Sequence, residues 1–462
     1  MSWIRRKSVD VFGSRKFARC ACGLAFAGFL ALADDASAQI LRSPVPVPTL
    51  PKLGVPLAGD SLLRDPRQAL SPQRLDELRV LRLRALVRAH SDVLDADPHG
   101  APVVRREILG WAITNAGLAR ASARGFTIGR RTALGEMGEI VVLVPPPGLS
   151  TRAAIRELRR ADRTGTFEFN HLFFESAATS PQSATTNEPR TALPANTITA
   201  AEVRAGLIDG GIEASHPSFA GMSLHTWGCS DRPVPSAHGT AVASLLAGRT
   251  AEFHGAAPGA TLYVADVFCG AETGGAADSV VAAMAWLLQE RVPVINMSLV
   301  GPPNAVLEQL VRFATARGAI VVAAVGNDGP AAPPAYPASY PGVIAVTAVD
   351  ANGRVLLEAG HALHVDLAAP GADMLAAASP DSFTAVRGTS FAAPLVAGLF
   401  ALQLRSPDPA EASAAIRHIE ESAVLPRGQG LASRYGKGVV AASLRVPLPA
   451  GRDGRNPHSG SL

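Results

Sequence analysis

The sequence predicts an α/β protein, a doubly wound and mostly parallel sheet preceded by a small α+β domain. Three observations carry this. Between residues 203 and 349, five short runs rich in Val and Ile lack apolar–polar alternation, which marks strands buried on both faces. Helical periods lie between those runs, and strands that alternate with helices build a parallel sheet. Ahead of them, residues 105–176 follow the order β-α-β-β-α-β. At 462 residues, 47% hydrophobic and 18% charged, the chain has material for two or three domains with cores, which excludes whole-chain disorder.

The elements follow in chain order. Arg5, Arg6, Lys7, Arg15, Lys16 and Arg19 precede an apolar run over 21–33 and the small residues Ala36, Ser37 and Ala38. This pattern describes a secretory signal peptide over residues 1–38. A retained membrane anchor is the alternative, although the run is short for a bilayer; the Arg5 and Arg6 pair leaves the export route open. Residues 39–58 are a Pro-rich linker. In the segment 59–104, Leu75, Leu78, Leu81, Leu83, Leu86 and Val87 stand among Arg and Glu at helical spacing, predicting a helix over 72–90. Strands are expected at 107–114, 127–131, 139–144 and 166–174, and helices at 116–124 and 150–163, the second opened by a Ser cap. That is the order and size of a ferredoxin-like unit. Residues 177–197, rich in Ser, Thr, Pro and Ala, read as an exposed, cleavable linker. In the region 198–446, strands are expected at 203–208, 261–268, 292–297, 319–324 and 343–349, with helices at 276–290 and 305–317. Residues 447–462 are a polar tail.

Three polar residues interrupt apolar contexts in this last region. Asp209 ends Ala-Gly-Leu-Ile-Asp-Gly-Gly, His238 opens His-Gly-Thr-Ala-Val-Ala, and Ser390 lies in Gly-Thr-Ser-Phe-Ala-Ala-Pro. Singly, they read as a turn residue, a surface histidine and a helix cap. Together they supply nucleophilic catalysis. A serine hydroxyl needs a neighbouring base, a neutral imidazole is one, and a buried carboxylate fixes the imidazole tautomer and stabilises its charged form. Asp, then His, then Ser is one of the chain orders such triads take. Asn327, in Val-Gly-Asn-Asp-Gly after another buried run, offers an amide to a developing oxyanion. The Ser390 N–H at its helix N-terminus is the second donor.

These segments resemble the subtilisin-like serine protease family, the subtilases. The matching motifs are the run ending Asp209-Gly-Gly, His238-Gly-Thr-x-Val-Ala, Gly326-Asn327-x-Gly and Gly388-Thr-Ser390-x-Ala-Ala-Pro394, with Asn296-Met-Ser-Leu and Tyr340-Pro-Gly-Val-Ile-Ala-Val between them. The resemblance covers residues 203–405. It implies Asp209, His238 and Ser390 as a triad, Asn327 as the oxyanion residue, and Ser298, Leu299 and Gly301 as an edge to which a peptide substrate adds as a strand. It also implies that residues 105–176 are a propeptide, a folding aid and inhibitor released by cleavage in the following linker. There are departures. Gly210 replaces the usual Ser or Thr beside Asp209, Ala241 a common second His, and Val300 a common Gly in the substrate edge. The loop between Gly248 and Pro258 lacks the Asn-rich calcium sequence, so no metal or other cofactor is expected.

Export leaves Cys229 and Cys269 as an even pair in an oxidising compartment, and a disulfide is the economical reading, with two buried thiols as the alternative. Neither has a Cys or His at metal-ligand spacing. The overall charge of +4 hides a division: residues 58–176 hold 18 basic and 14 acidic residues, whereas 198–445 hold 14 and 20. Basic charge that belongs to the precursor argues against a nucleic acid partner and suits a pro-segment docked on an acidic enzyme. The expectation is therefore a secreted or periplasmic serine endopeptidase, monomeric and without stable membrane insertion. It acts on protein or peptide substrates and is matured by propeptide cleavage. The competing reading is an inactive binding protein on the same scaffold. An esterase of the G-x-S-x-G type is excluded by the Ser390 context.

Overall fold

The computed structural model describes residues 71–176, 178–183, 202–271, 273–378, 380–426 and 432–447. The expected signal peptide, the Pro-rich linker, residues 59–70, most of the expected cleavable linker and the tail from 448 lie outside the described residues.

Helix α1 (Pro72–Ala89) starts where its caps dictate: Ser71 Oγ accepts from Arg74 N, and Pro72 fills the first turn, where no N–H is needed. Next come β1 (Leu94–Ala96), β2 (Pro102–Trp111), α2 (Asn115–Ala123), β3 (Thr127–Ala133), β4 (Glu139–Val144), α3 (Thr151–Ala161) and β5 (Thr166–Glu175). The antiparallel sheet runs β5-β2-β4-β3, with α2 and α3 on one face, where Ile155 and Leu158 of α3 pack with Ile108, Val141, Leu143 and Phe167 of the strands. Alternate residues of the same strands, Leu109, Ile140 and Val142, turn to the other face and join the core of the larger lobe. One expectation needs correction: the segment 59–104 is not only helical. Strand β1 pairs with β2, Leu94 opposite Val104, across a turn in which Asp97 Oδ1 accepts from His99 N and Ala101 N. A three-residue strand is too short to show a period.

The larger lobe follows β6 (Ala178–Ser183). Its elements are β7 (Arg204–Asp209), β8 (Leu224–Trp227), α4 (Ala237–Ala247), β9 (Thr261–Asp266), β10 (Gly275–Ala276), α5 (Ala277–Gln289), β11 (Val294–Met297), β12 (Leu299–Val300), α6 (Ala305–Ala316), β13 (Ile320–Ala324), β14 (Val343–Val349), β15 (Leu367–Pro370), β16 (Met374–Ala378), β17 (Ser382–Arg387), α7 (Thr389–Ala401) and α8 (Pro409–Ser422). Seven strands in the order β15-β14-β13-β11-β7-β9-β8 pair in parallel throughout. The core on one face takes in α4 and α7, that on the other α5 and α6. The chain lays β8 and β9 to one side of β7 and β11 onward to the other, so the switch point lies between β7 and β11, where an open α/β sheet opens a crevice at its carboxyl edge.

Main-chain pairing and an ion-pair cluster are among the connections that join the lobes. The end of β5 pairs antiparallel with β10, Phe173 opposite Gly275 and Leu172 opposite Ala276, and with β12, Phe174 opposite Val300 and Glu175 opposite Leu299. Arg130 bridges Glu107 of its own lobe and Asp278 of α5 at 2.7 and 2.5 Å. Beyond this junction β6 pairs with β17, forming a three-stranded antiparallel sheet with β16.

Helix α7 sits deep because Gly398 lets it: a Cβ there would stand 2.4 Å from Ala256 Cβ and 3.1 Å from the Leu246 carbonyl oxygen. Gly398→Val is expected to destabilise the fold by about 1–3 kcal/mol through overpacking, read as a lower thermal unfolding midpoint. An unchanged midpoint would show that α7 has slack.

Candidate active site

Asp209 is the last residue of β7 and wholly buried. Its Oδ1 accepts from Gly210 N at 2.7 Å and from His238 Nδ1 at 2.8 Å, while Oδ2 has no partner among the described residues. Gly210 beside it has no hydroxyl to offer. The space is not empty, since a Cβ on Gly210 would lie 2.4 Å from Ser236 Oγ. His238 is in the first turn of α4, a helix capped by Ser236, whose Oγ accepts from Gly239 N at 2.8 Å. With Nδ1–H directed at Asp209, Nε2 is left buried and without a partner among the described residues.

Ser390 opens α7 and is buried. Its Oγ donates to the Ser298 carbonyl at 3.2 Å and meets Ser176 Oγ from the end of the smaller lobe; it makes no hydrogen bond to His238. Four residues on, Pro394 lies inside α7 and has no N–H to give the Ser390 carbonyl. Ser298 Oγ supplies that donor at 2.9 Å and is itself held by Asn296 Nδ2 at 2.9 Å. Asn327 follows β13. Its Oδ1 accepts from Thr389 N at 3.0 Å, which fixes the amide with Nδ2 turned away, buried and without a partner among the described residues. The arrangement thus brings together the four polar residues singled out by sequence, each at the carboxyl edge of a strand or the start of a helix. Leu299 lies in β12, Ser298 and Gly301 beside it, and Gly301 N donates to the Tyr336 carbonyl at 2.9 Å.

Cys229 and Cys269 are joined by a disulfide with Cα atoms 5.3 Å apart. They flank Asp266, a buried carboxylate opposite Asp209 in the β7–β9 register that accepts from Val234 N, Phe268 N and Cys269 N at 2.8 to 3.1 Å. Sequence reasoning passed over Asp266, although it too ends a buried strand. It also passed over Ser236, Thr389, Ser176 and Glu175, which matter only through folding. Among the described residues two groups have the donor density of a metal site, Cys229 with Asp266 and Cys269, and Glu175 with Asp209 and His238. In the first the sulfurs bond each other. In the second Asp209 holds the imidazole N–H.

The buried imidazole lies between carboxylates. Burial pushes His238 down, but the charges of Asp209 and Glu175 and the Asp209 hydrogen bond outweigh it and raise its pKa to about 9.

Fold and side-chain arrangement define the class of α/β serine hydrolases, and comparison narrows it. A family model described as the subtilase family matches residues 201–438. Subtilisin DY of Bacillus licheniformis is 35% identical over 248 residues, covering 52% of this chain and 89% of its own length. Subtilisin E of Bacillus subtilis is 32% identical over 297 residues, covering 62% and 76%. The solved structure of fervidolysin from Fervidobacterium pennivorans, a keratinolytic enzyme related to subtilisin, superposes with a TM-score of 0.59 at 21% identity. It covers 75% of this chain and 62% of its own, a likeness of fold. The chain belongs to the subtilase family and is a serine-type endopeptidase. Among the described residues no helix is long and apolar enough to cross a membrane.

Ser298→Ala would leave the Ser390 carbonyl buried without a donor, and is expected to cost about 1–3 kcal/mol of stability, measured by denaturant unfolding. No loss would mean that another donor replaces it.

Proposed function

We propose that the chain is an exported endopeptidase precursor that cleaves itself after Ser176 and then cleaves other polypeptides with the same groups. Ser390 Oγ attacks the scissile carbonyl carbon while His238 Nε2 takes its proton, and Asp209 stabilises the resulting imidazolium. The oxyanion receives Asn327 Nδ2, which is buried and without a partner among the described residues, and the Ser390 N–H at the start of α7. His238 returns the proton to the leaving nitrogen, and water then releases the acyl group from Ser390.

The observation that carries this reading is the antiparallel pairing of residues 172–175 with β10 and β12, which brings Ser176 against Ser390. A substrate adds as a strand to the same edge, so residues 105–176 act as propeptide and occupant of the cleft. The Ser176–Ala177 bond is then the scissile one, at the junction between the expected propeptide and the linker at 177–197. Ser390 has to rotate from the Ser298 carbonyl towards His238 for attack. Helix α1 adds to the hold: Leu75 is buried against Gly329, and Arg82 pairs with Asp328 at 2.8 Å, both beside Asn327. The single-chain precursor is monomeric in this reading.

In the wild type, processing should create an N-terminus at Ala177 and an enzyme that reacts with a fluorophosphonate probe and digests casein. Ser390→Ala should remain uncut and inactive; a cut Ser390→Ala chain would assign the processing to another protease. Asn327→Ala should slow turnover about 10²- to 10³-fold, and an unchanged rate would remove it from the oxyanion site.

Val300 narrows the pocket that receives the residue before the scissile bond, its Cγ1 lying 3.4 Å from where a Gly326 Cβ would stand. The tail accordingly presents a small residue, Ser176. Val300→Gly is expected to raise kcat/KM for a peptide with Phe there by at least about tenfold, checked with paired Ser and Phe peptides. Equal gains for both would refute a steric role.

A further inference from the structure

We infer that Gly210, Ser236 and His238 form a subsite for an acidic residue placed second before the scissile bond, making the enzyme selective for Glu at that position. The inference rests on the reading of residues 105–176 as a propeptide cut after Ser176, which makes Glu175 that residue in the chain's own tail.

Three features point the same way. First, Ser236 Oγ already accepts the Gly239 N–H at 2.8 Å, so its own proton is free to be donated, and Ser236 favours the charged form of the Glu175 carboxyl. Second, the missing side chain at 210 makes the room. A Cβ there would stand 2.4 Å from Ser236 Oγ and 3.4 Å from Glu175 Oε1, so the hydroxyl or carbon of a Ser or Thr would compete for the space that Ser236 and the carboxylate share. Third, the carboxylate lies within 4.8 Å of the His238 ring at the start of α4, where the imidazolium and the helix N-terminus both favour an anion.

Two carboxylates oppose it. The Glu175 side chain keeps solvent exposure, yet desolvation at the junction of the lobes raises its pKa, and Asp209 and Asp266 add to that, while His238 and Ser236 act in the other direction. Asp266 is tied to three backbone N–H groups and Asp209 shares its charge with His238, which leaves the imidazolium as the partner of the incoming carboxylate. A Glu in this subsite therefore strengthens binding and at the same time holds His238 protonated. Since only the neutral ring can accept the Ser390 proton, turnover of such substrates should need higher pH than turnover of their neutral counterparts.

The test uses enzyme processed from the full-length chain. Product peptides Leu-Phe-Phe-Xaa-Ser, with Xaa as Glu, Gln or Ala, are measured as inhibitors of casein hydrolysis, and the corresponding Leu-Phe-Phe-Xaa-Ser-Ala-containing peptides as substrates from pH 6 to 10. The Glu product should inhibit about tenfold more tightly than the Gln product, as a charge-assisted hydrogen bond against a neutral one allows. The rise of kcat with pH should lie about one pH unit higher for the Glu substrate. Ser236→Asp keeps a helix-capping side chain but sets a carboxylate against the incoming one, and should abolish the preference. Equal inhibition by the Glu and Gln products, or an undiminished preference in Ser236→Asp, would overturn the inference. Failure of wild-type enzyme to hydrolyse casein or any of the peptides would instead overturn the proposed function.

Discussion

Four residues of main-chain pairing, 172–175 against β10 and β12, set the relation between the two lobes and the state of the cleft. Backbone pairing is indifferent to side chains, so it fixes register and direction first; the side chains then fall where alternation puts them. Phe173 is buried against Gly301, where any side chain on the glycine would strike its ring, and Glu175 is carried towards His238. The apolar face of the small sheet gains its cover from α5 and α6 by the same placement. Without that cover, Leu109, Ile140 and Val142 would face water on a lobe of modest size, a poor prospect for independent stability.

The chemistry is built from groups that the fold leaves incompletely satisfied. Buried polar atoms are ordinarily hydrogen-bonded, yet Asp209 Oδ2, His238 Nε2 and Asn327 Nδ2 have no partner among the described residues. Each of these side chains is held by its other polar atom, so the free one is aimed and rigid. Pro394 illustrates the same economy: by withholding an N–H it frees the Ser390 carbonyl for Ser298, and that contact ties the start of α7 to the substrate edge. The disulfide adds a covalent tie on the far side of Asp266. Closing a loop of sequence separation 40 contributes about 4 kcal/mol in the chain-entropy picture.

Much of this was legible in the sequence, for identifiable reasons. Val- and Ile-rich runs gave the parallel strands to within about two residues at most ends, because strands buried on both faces leave no ambiguity of period. Asp209, His238, Asn327 and Ser390 stood out as polar residues at the edges of apolar runs. Other elements were hidden by composition: β16 reads Met-Leu-Ala-Ala-Ala, which suits a helix at least as well, and β8 is a four-residue edge with polar positions. Glu175, Ser236 and Leu75 were hidden for a different reason, since their partners lie 61, 61 and 254 positions away in the chain, as the numbering shows, and no local pattern encodes such a meeting. The opposite charges of the two lobes were visible as totals, and the fold realises them at few points, chiefly Arg130 with Asp278 and Arg82 with Asp328.

The passage of the chain from β5 past Ser390 to β6 gives one backbone a grip on two separate sheets, on either side of the serine. While the chain is whole, each grip raises the effective concentration of the other, so neither half leaves alone. Breaking the chain between them removes that mutual enforcement. The larger lobe then retains the smaller only by ordinary bimolecular affinity, and occupancy of the cleft becomes a function of dilution. A secreted molecule would thus meet its lowest self-occupancy after it has diffused away from the cell that made it.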